Sequence, residues 1–143
     1  MYLDMCCLMR PFDDLGDPRV FEEAEIVTDI LELVRDGRQV LVVSATHRSE
    51  NAYNPFDNRR AFLRNVFASA TSFVPLTPSV HRRANMWKTY GVRHLDSYHL
   101  ACAEESCVDV FCTCDDNLLR KAGRWVAGIK LLSIRQLARE IRP

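Results

Sequence analysis

Met1-Tyr2-Leu3-Asp4-Met5-Cys6-Cys7-Leu8 opens the chain, and its reading decides the fold. An apolar run that early, stopped by an acid, reads as a short buried strand with Asp4 at its carboxyl end. In open α/β sheets, ligand-binding and reacting groups gather at that edge. A second run, Gln39-Val40-Leu41-Val42-Val43-Ser44, is continuously β-branched and aliphatic, the pattern of a parallel strand buried on both faces. Asp109-Val110-Phe111-Cys112-Thr113 and Ile129-Lys130-Leu131-Leu132 read as two more strands. Ser72-Phe73-Val74-Pro75-Leu76 is a shorter one, and its proline suggests an edge.

Helical signals fill the intervals. Met9 to Pro18 is a loop by its Pro, Asp and Gly content. Asp17 then caps a helix with Pro18 at its first position, and Val20, Ala24, Val27, Leu31 and Val34 recur at helical spacing up to Asp36-Gly37. Ser44 caps a helix carrying Thr46, Glu50 and Asn51, broken at Asn54-Pro55. The next runs from about 56 to 70, with Phe62, Val66 and Phe67 inward and Arg59, Arg60 and Arg64 outward. Thr77 caps a helix from Pro78 to Tyr90, ended by Gly91. His94-Leu95-Asp96 begins a largely apolar, buried helix, Cys114-Asp115-Asp116-Asn117 turns into another, and Ser133 caps the last, to about Ile141. Strands alternating with helices predict an α/β fold, three-layer α/β/α, with a central, mainly parallel sheet of four to five strands. No repeat, low-complexity segment or linker divides the chain, so residues 1–143 are expected to form one domain.

Hydrophobic residues make up 48% of the chain, enough for a core and too many for disorder. Basic and acidic residues balance at 19 each, which excludes gripping nucleic acid by bulk charge. The six cysteines, at positions 6, 7, 102, 107, 112 and 114, make no C-x-x-C pair. They read as reduced, mostly buried thiols of a cytoplasmic protein without a leader segment. No apolar run approaches the roughly 20 residues that span a bilayer, so no membrane partner is expected.

Four acids stand at comparable topological positions. Asp4 follows the first strand, Glu50 lies about two turns into the helix after the second, Asp96 opens the buried helix, and Asp115 follows the fourth strand. Asp96 and Asp115 would also serve as helix caps. If the four converge, repulsion is large: two like charges about 4 Å apart repel by roughly 4 kcal/mol at an effective dielectric near 20. Such a cluster needs a cation or must hold protons. Oxygen ligands without His or Cys select Mg²⁺ or Mn²⁺, ions that bind substrate phosphate and activate water in phosphodiester hydrolysis.

Four segments resemble the PIN domain family, the nuclease fold of VapC-type toxins. Tyr2 to Leu8 resembles the family's opening strand, Asp and following Leu. Ser44-Ala45-Thr46-His47-Arg48-Ser49-Glu50 resembles its Ser-to-Glu segment. Leu95-Asp96-Ser97-Tyr98-His99-Leu100-Ala101-Cys102-Ala103 resembles its Asp-led, Ala-rich helix, and Phe111 to Leu118 its Thr-x-Asp segment. The resemblance implies a Mg²⁺- or Mn²⁺-dependent endoribonuclease, the toxin of a toxin-antitoxin pair. Asp4, Glu50, Asp96 and Asp115 would be its catalytic and metal-binding acids, with Thr113 in support and Asp116, beside Asp115, as an alternative ligand. It further implies an RNA substrate, a homodimer, and an antitoxin that enters the acidic pocket, commonly with an Arg. The Cys6-Cys7 pair departs from the small or polar residues that many members carry there, and Asp13, Asp14 and Asp17 add acids near the site.

Among the basic residues, Arg10 and Arg48 are the first candidates for RNA phosphate, being close in sequence to Asp4 and Glu50. His47, His94 and His99 are candidate bases, although His99 on the Ala-rich helix reads as packed. Trp87 and Trp125 read as core or interface residues before base-stacking ones. Cys112 and Cys114 share a strand face and are the candidate ligands for a soft metal. The competing function is a non-catalytic PIN-like module that binds RNA or protein. A haloacid-dehalogenase-like phosphatase would want a second Asp where Cys6 stands, and a receiver domain an acidic pair and a late Lys that are not evident.

Overall fold

The computed structural model describes residues 1–126 and 128–141. Its elements run β1 (Tyr2–Leu3), α1 (Met5–Met9), a 3₁₀ turn (Arg10–Phe12), α2 (Pro18–Arg35), β2 (Val42–Ser44), α3 (Ala45–Ala52), α4 (Asp57–Ala68), β3 (Ser72–Val74), α5 (Pro78–Thr89), α6 (His94–Glu105), β4 (Val110–Thr113), α7 (Asp116–Ala122), β5 (Lys130–Ser133) and α8 (Ile134–Ile141).

Every strand pair is parallel. β1 pairs with β4, with Leu3 opposite Cys112, and β4 pairs with β5, with Thr113 opposite Ser133. β2 pairs with β3 as a separate ladder. The two ladders join beside β1: the Val42 N–H donates to Met1 O (2.9 Å) and Met1 N donates to Val40 O (2.7 Å). The strand order is therefore β3-β2-β1-β4-β5. β1 is central although it is first in sequence, and β3 lies at an edge, as Pro75 suggested.

Side-chain alternation shows why the sheet is covered on both faces. Leu3, Leu41, Val43 and Cys112 join one apolar cluster with α1, α2, α4 and α8. Their neighbours Tyr2, Val42 and Phe111 join the other, with α5, α6 and α7. This period of two is the pleat itself. Each fully buried Leu or Phe contributes roughly 1.5–3 kcal/mol, and Leu3, Leu41 and Phe111 are all at 0% exposure.

The caps were readable. The Asp17 side chain accepts from the N–H groups of Arg19 and Val20, and the Thr77 side chain from that of Val80. Gly37 and Gly91 end their helices at φ +71° and +83°, where a side chain would be strained. Ser133 and Gln136 cap α8 reciprocally, each side chain accepting from the other's backbone N–H.

Some boundaries differ from the sequence expectation. β2 begins at Val42, with Val40 half exposed. Met5 to Leu8, given no element of their own in the sequence expectation, begin α1, whose residues are all apolar, so no periodicity reveals it. In α4 it is Leu63, with Val66 and Phe67, that is buried, while Phe62 only borders the core. Leu95 is not part of the buried face of α6 but is half exposed.

Candidate functional site

The parallel ladder sets the ends of β1 and β4 side by side. Asp4 leaves β1 with its N–H still on Cys112 O (2.9 Å), and Thr113 ends β4. The Thr113 hydroxyl donates to Asp4 Oδ2 at 2.8 Å and accepts from the Asp115 N–H at 3.1 Å. One hydroxyl thus fixes the geometry of two acids. Asp115 caps α7: its Oδ1 accepts from the N–H groups of Asn117 and Leu118 at 2.8 and 3.2 Å. That leaves Oδ2 facing Arg93, 3.1 Å from its guanidinium. Asp96 sits in the first turn of α6, with Arg93 3.6 Å away. Glu50 comes from α3 and is held through Oε1 by His99 Nε2 at 3.0 Å.

Asp4, Glu50, Asp96 and Asp115 line one open cleft of about 450 Å³, with Met5, Cys6, Arg93 and Leu95 completing its wall. Convergence of acids favours protonated forms or a neighbouring cation. Burial pushes the Asp4 carboxyl up to about 7, against the opposing pull of His99 and the Thr113 hydrogen bond. Burial and the neighbouring Asp4 push Asp96 up to about 6. Arg93 supplies positive charge between Asp96 and Asp115. Among the described residues, no three of these carboxylates bring oxygens within 4.8 Å of one another. The donor set is nonetheless all hard oxygen, which suits Mg²⁺ or Mn²⁺.

Behind Glu50 lies a chain of buried polar groups that sequence reasoning did not assemble. His99 Nδ1 meets Tyr2 Oη at 2.6 Å, and Tyr2 Oη meets Ser44 Oγ at 2.8 Å. Ser44 Oγ accepts from the His47 N–H, the Ser44 N–H donates to His47 Nδ1 at 3.1 Å, and His47 Nε2 donates to Leu3 O at 2.8 Å. The chain therefore runs from Glu50 to the carbonyl just before Asp4. Burial lowers the His99 pKa, yet the Glu50 hydrogen bond and the Asp4 and Asp96 charges outweigh it, and the net direction is up. Burial, with His99 nearby, holds His47 well below its ordinary value. A charged His99 donating from both ring nitrogens and a neutral His47 satisfy every group in the chain. Thr46, between Ser44 and Glu50, faces Cys102 instead. The signal in the sequence was the coincidence of Tyr2, Ser44, His47 and His99, each lying within three or six residues of an acid.

The other sequence candidates stand elsewhere. Arg10 is not on the cleft wall: its guanidinium lies 2.7 Å from the buried Glu23 and 2.9 Å from Asp13. Arg48 lies over the Phe73 ring and lines a separate groove with Asn51, Arg60, Arg64 and Phe67. It is two residues from Glu50, and on a helix such residues do not share a face. Asp116 turns to Arg19, which grips it at 2.8 and 3.0 Å and ties α7 to α2.

A family model settles what this arrangement belongs to: the PIN domain model matches residues 1–124. The chain is a member of the PIN domain family. PIN domains are generally nucleases, and PIN nucleases typically use divalent metal ions. The matched span holds all four cleft acids and ends just after α7. No match was found among curated proteins. Among the described residues, no helix is long and apolar enough to cross a membrane.

Proposed function

We propose that this PIN domain is a metal-dependent endoribonuclease that hydrolyses RNA phosphodiester bonds, and that it acts as the toxin of a toxin-antitoxin pair. One observation carries the reading: Asp4, Glu50, Asp96 and Asp115 line a single cleft at the carboxyl edge of the sheet, two of them with carboxyls raised toward neutrality.

The acids would hold Mg²⁺ or Mn²⁺. The chemistry a divalent ion supplies in such a cleft is neutralisation of phosphate charge and activation of water. The chain's own part is positional. Thr113 orients Asp4, the Asn117 and Leu118 amides fix one oxygen of Asp115, and His99 fixes Glu50. Asp4 and Asp96 give up their protons when a cation arrives, so binding strengthens as pH rises through about 6 to about 7. Arg93, 74% exposed, swings aside or follows the phosphate.

A cytoplasmic homodimer held in check by an antitoxin Arg in the same acidic cleft completes the proposal. An arginine already reaching for Asp96 and Asp115 supports the idea that the cleft accepts such a group. The competing reading is a non-catalytic module that binds RNA or protein. Purified protein with a mixed RNA pool, in Mg²⁺, Mn²⁺ or EDTA, separates the two. The nuclease reading expects metal-dependent cutting that Asp4→Asn and Asp96→Asn abolish. Protein that neither cuts RNA nor binds a divalent ion sinks it.

A further inference from the structure

Behind the wall of the acid cleft lies a cluster of a different chemistry. Cys6, Cys7 and Cys114 bring three sulfurs within 4.8 Å of one another. Cys7 and Cys114 stand 3.6 Å apart, and the Cys114 N–H donates to Cys6 Sγ at 3.3 Å. All three thiols are free. Cys6 and Cys7 lie in the first turn of α1 and Cys114 just past β4, so pairing of β1 with β4 assembles them across more than a hundred residues. The sequence expectation joined Cys114 to Cys112; its sulfur instead meets those of α1, and Cys112 takes no part in the cluster.

The spacing has a chemical meaning. Zinc binds thiolate sulfur at about 2.3 Å in tetrahedral geometry, which sets neighbouring sulfurs about 3.8 Å apart. With one pair of sulfurs at 3.6 Å and all three within 4.8 Å, small rotations let them share one ion. Cys7 and Cys114 are buried, so the site is dry, while Cys6 lines the cleft and gives an entry path. We propose that Cys6, Cys7 and Cys114 form a three-thiolate site for a thiophilic divalent cation of the Zn²⁺ class, distinct in ligand chemistry from the acid cleft beside it. Soft sulfur selects this ion and leaves Mg²⁺ and Mn²⁺ to the carboxylates. Each thiol that binds releases its proton to solvent. Thr113 Oγ1 and Asp4 Oδ2 lie 3.2 and 3.3 Å from Cys6 Sγ on the cleft side of the cluster, and the fourth position falls to water.

The test uses the full, reduced, metal-free chain in excess Mg²⁺, titrated with Cd²⁺ as the spectroscopic stand-in for Zn²⁺. The expected result is saturation at one ion per chain, with an ultraviolet sulfur-to-metal band of three-thiolate intensity that Zn²⁺ displaces. Cys114→Ala cuts the band to two thiolates and weakens binding at least about tenfold. Cys107→Ser, at an exposed thiol outside the cluster, leaves it intact, as does Asp96→Asn. A wild-type band of fewer than three thiolates overturns the proposal. So does a band that survives Cys114→Ala or is lost in Cys107→Ser. If Cys114→Ala fails to fold, the wild-type stoichiometry and intensity still decide. No RNA is involved, so failure of the nuclease reading leaves this result untouched.

Discussion

The two sides of the acid cleft are held by opposite means. Glu50 is wired through His99, Tyr2, Ser44 and His47 to the Leu3 carbonyl, a chain in which all four intermediate residues are at 0–1% exposure. Asp96 and Asp115 are instead spanned by Arg93, whose side chain is 74% exposed. A buried network is rigid because breaking it strands polar groups away from water. An exposed ion pair contributes little and exchanges readily. The comparison separates a preorganised side of the cleft from one that can release its counter-ion. Asp4 sits between them, 4% exposed at the cleft wall and held by the Thr113 hydroxyl.

Asp4→Asn tests the joint and should have the largest effect. RNA cleavage is expected to fall by about 10²-fold or more. The same variant should stabilise the metal-free protein. The folded Asp4 carboxyl titrates at about 7 against an ordinary 3.8, so the native state holds the proton more tightly than the unfolded chain. Wild-type stability is therefore highest below about pH 4 as far as this group is concerned, and declines as pH rises through about 7. Urea midpoints across that range, without metal, should converge at low pH and favour Asn at pH 8. A variant that cuts RNA normally, or shows no such pH-dependent gain, removes Asp4 from the centre of the site.

His99→Ala breaks the wired side. It takes one of the two partners of the Tyr2 hydroxyl, which keeps Ser44, and leaves a cavity, for an expected loss of roughly 2–4 kcal/mol. Untethered Glu50 should lower cleavage about 10–100-fold. Tyr2→Phe keeps the ring packing and removes only the link, so a loss of about 1 kcal/mol is expected. If chemical denaturation shows both variants near wild type, the network is ornamental and the contrast between the sides fails. Arg93→Ala, on the exchangeable side, should change stability by less than about 1 kcal/mol. Calorimetry should then show Mg²⁺ binding a few-fold tighter, because a competing cation is gone; weaker binding would assign Arg93 a holding role instead.

Sequence reasoning reached the frame more readily than the supports. Asp17-Pro18, Thr77-Pro78, Gly37 and Gly91 mark helix ends through local chemistry, and burial on both faces along β1, β2 and β4 follows from unbroken apolar runs. Asp4, Asp96 and Asp115 stood out because each follows a strand or opens a helix, and Glu50, two turns into α3, through the helix that follows the second strand. What escaped was whatever depends on distant segments meeting. The His99 chain joins residues 2, 44, 47 and 99, and the thiol cluster joins 6, 7 and 114. Arg10 and Arg48 show the converse error. Nearness to Asp4 and Glu50 along the chain is undone by the turn of a helix, and the buried Glu23 that captures Arg10 carries no local mark.

The register that sets Leu3 opposite Cys112 also has a consequence in time. The central strand is made first, and its partner on one side is made 109 residues later. At synthesis rates of about 5–20 residues per second, the ribosome needs roughly 5–20 s to travel from one to the other. Throughout that interval neither Thr113 nor Asp115 exists to complete the cleft around Asp4. The activity proposed for the cleft is therefore withheld from a nascent chain until β4 has been made and has paired with β1.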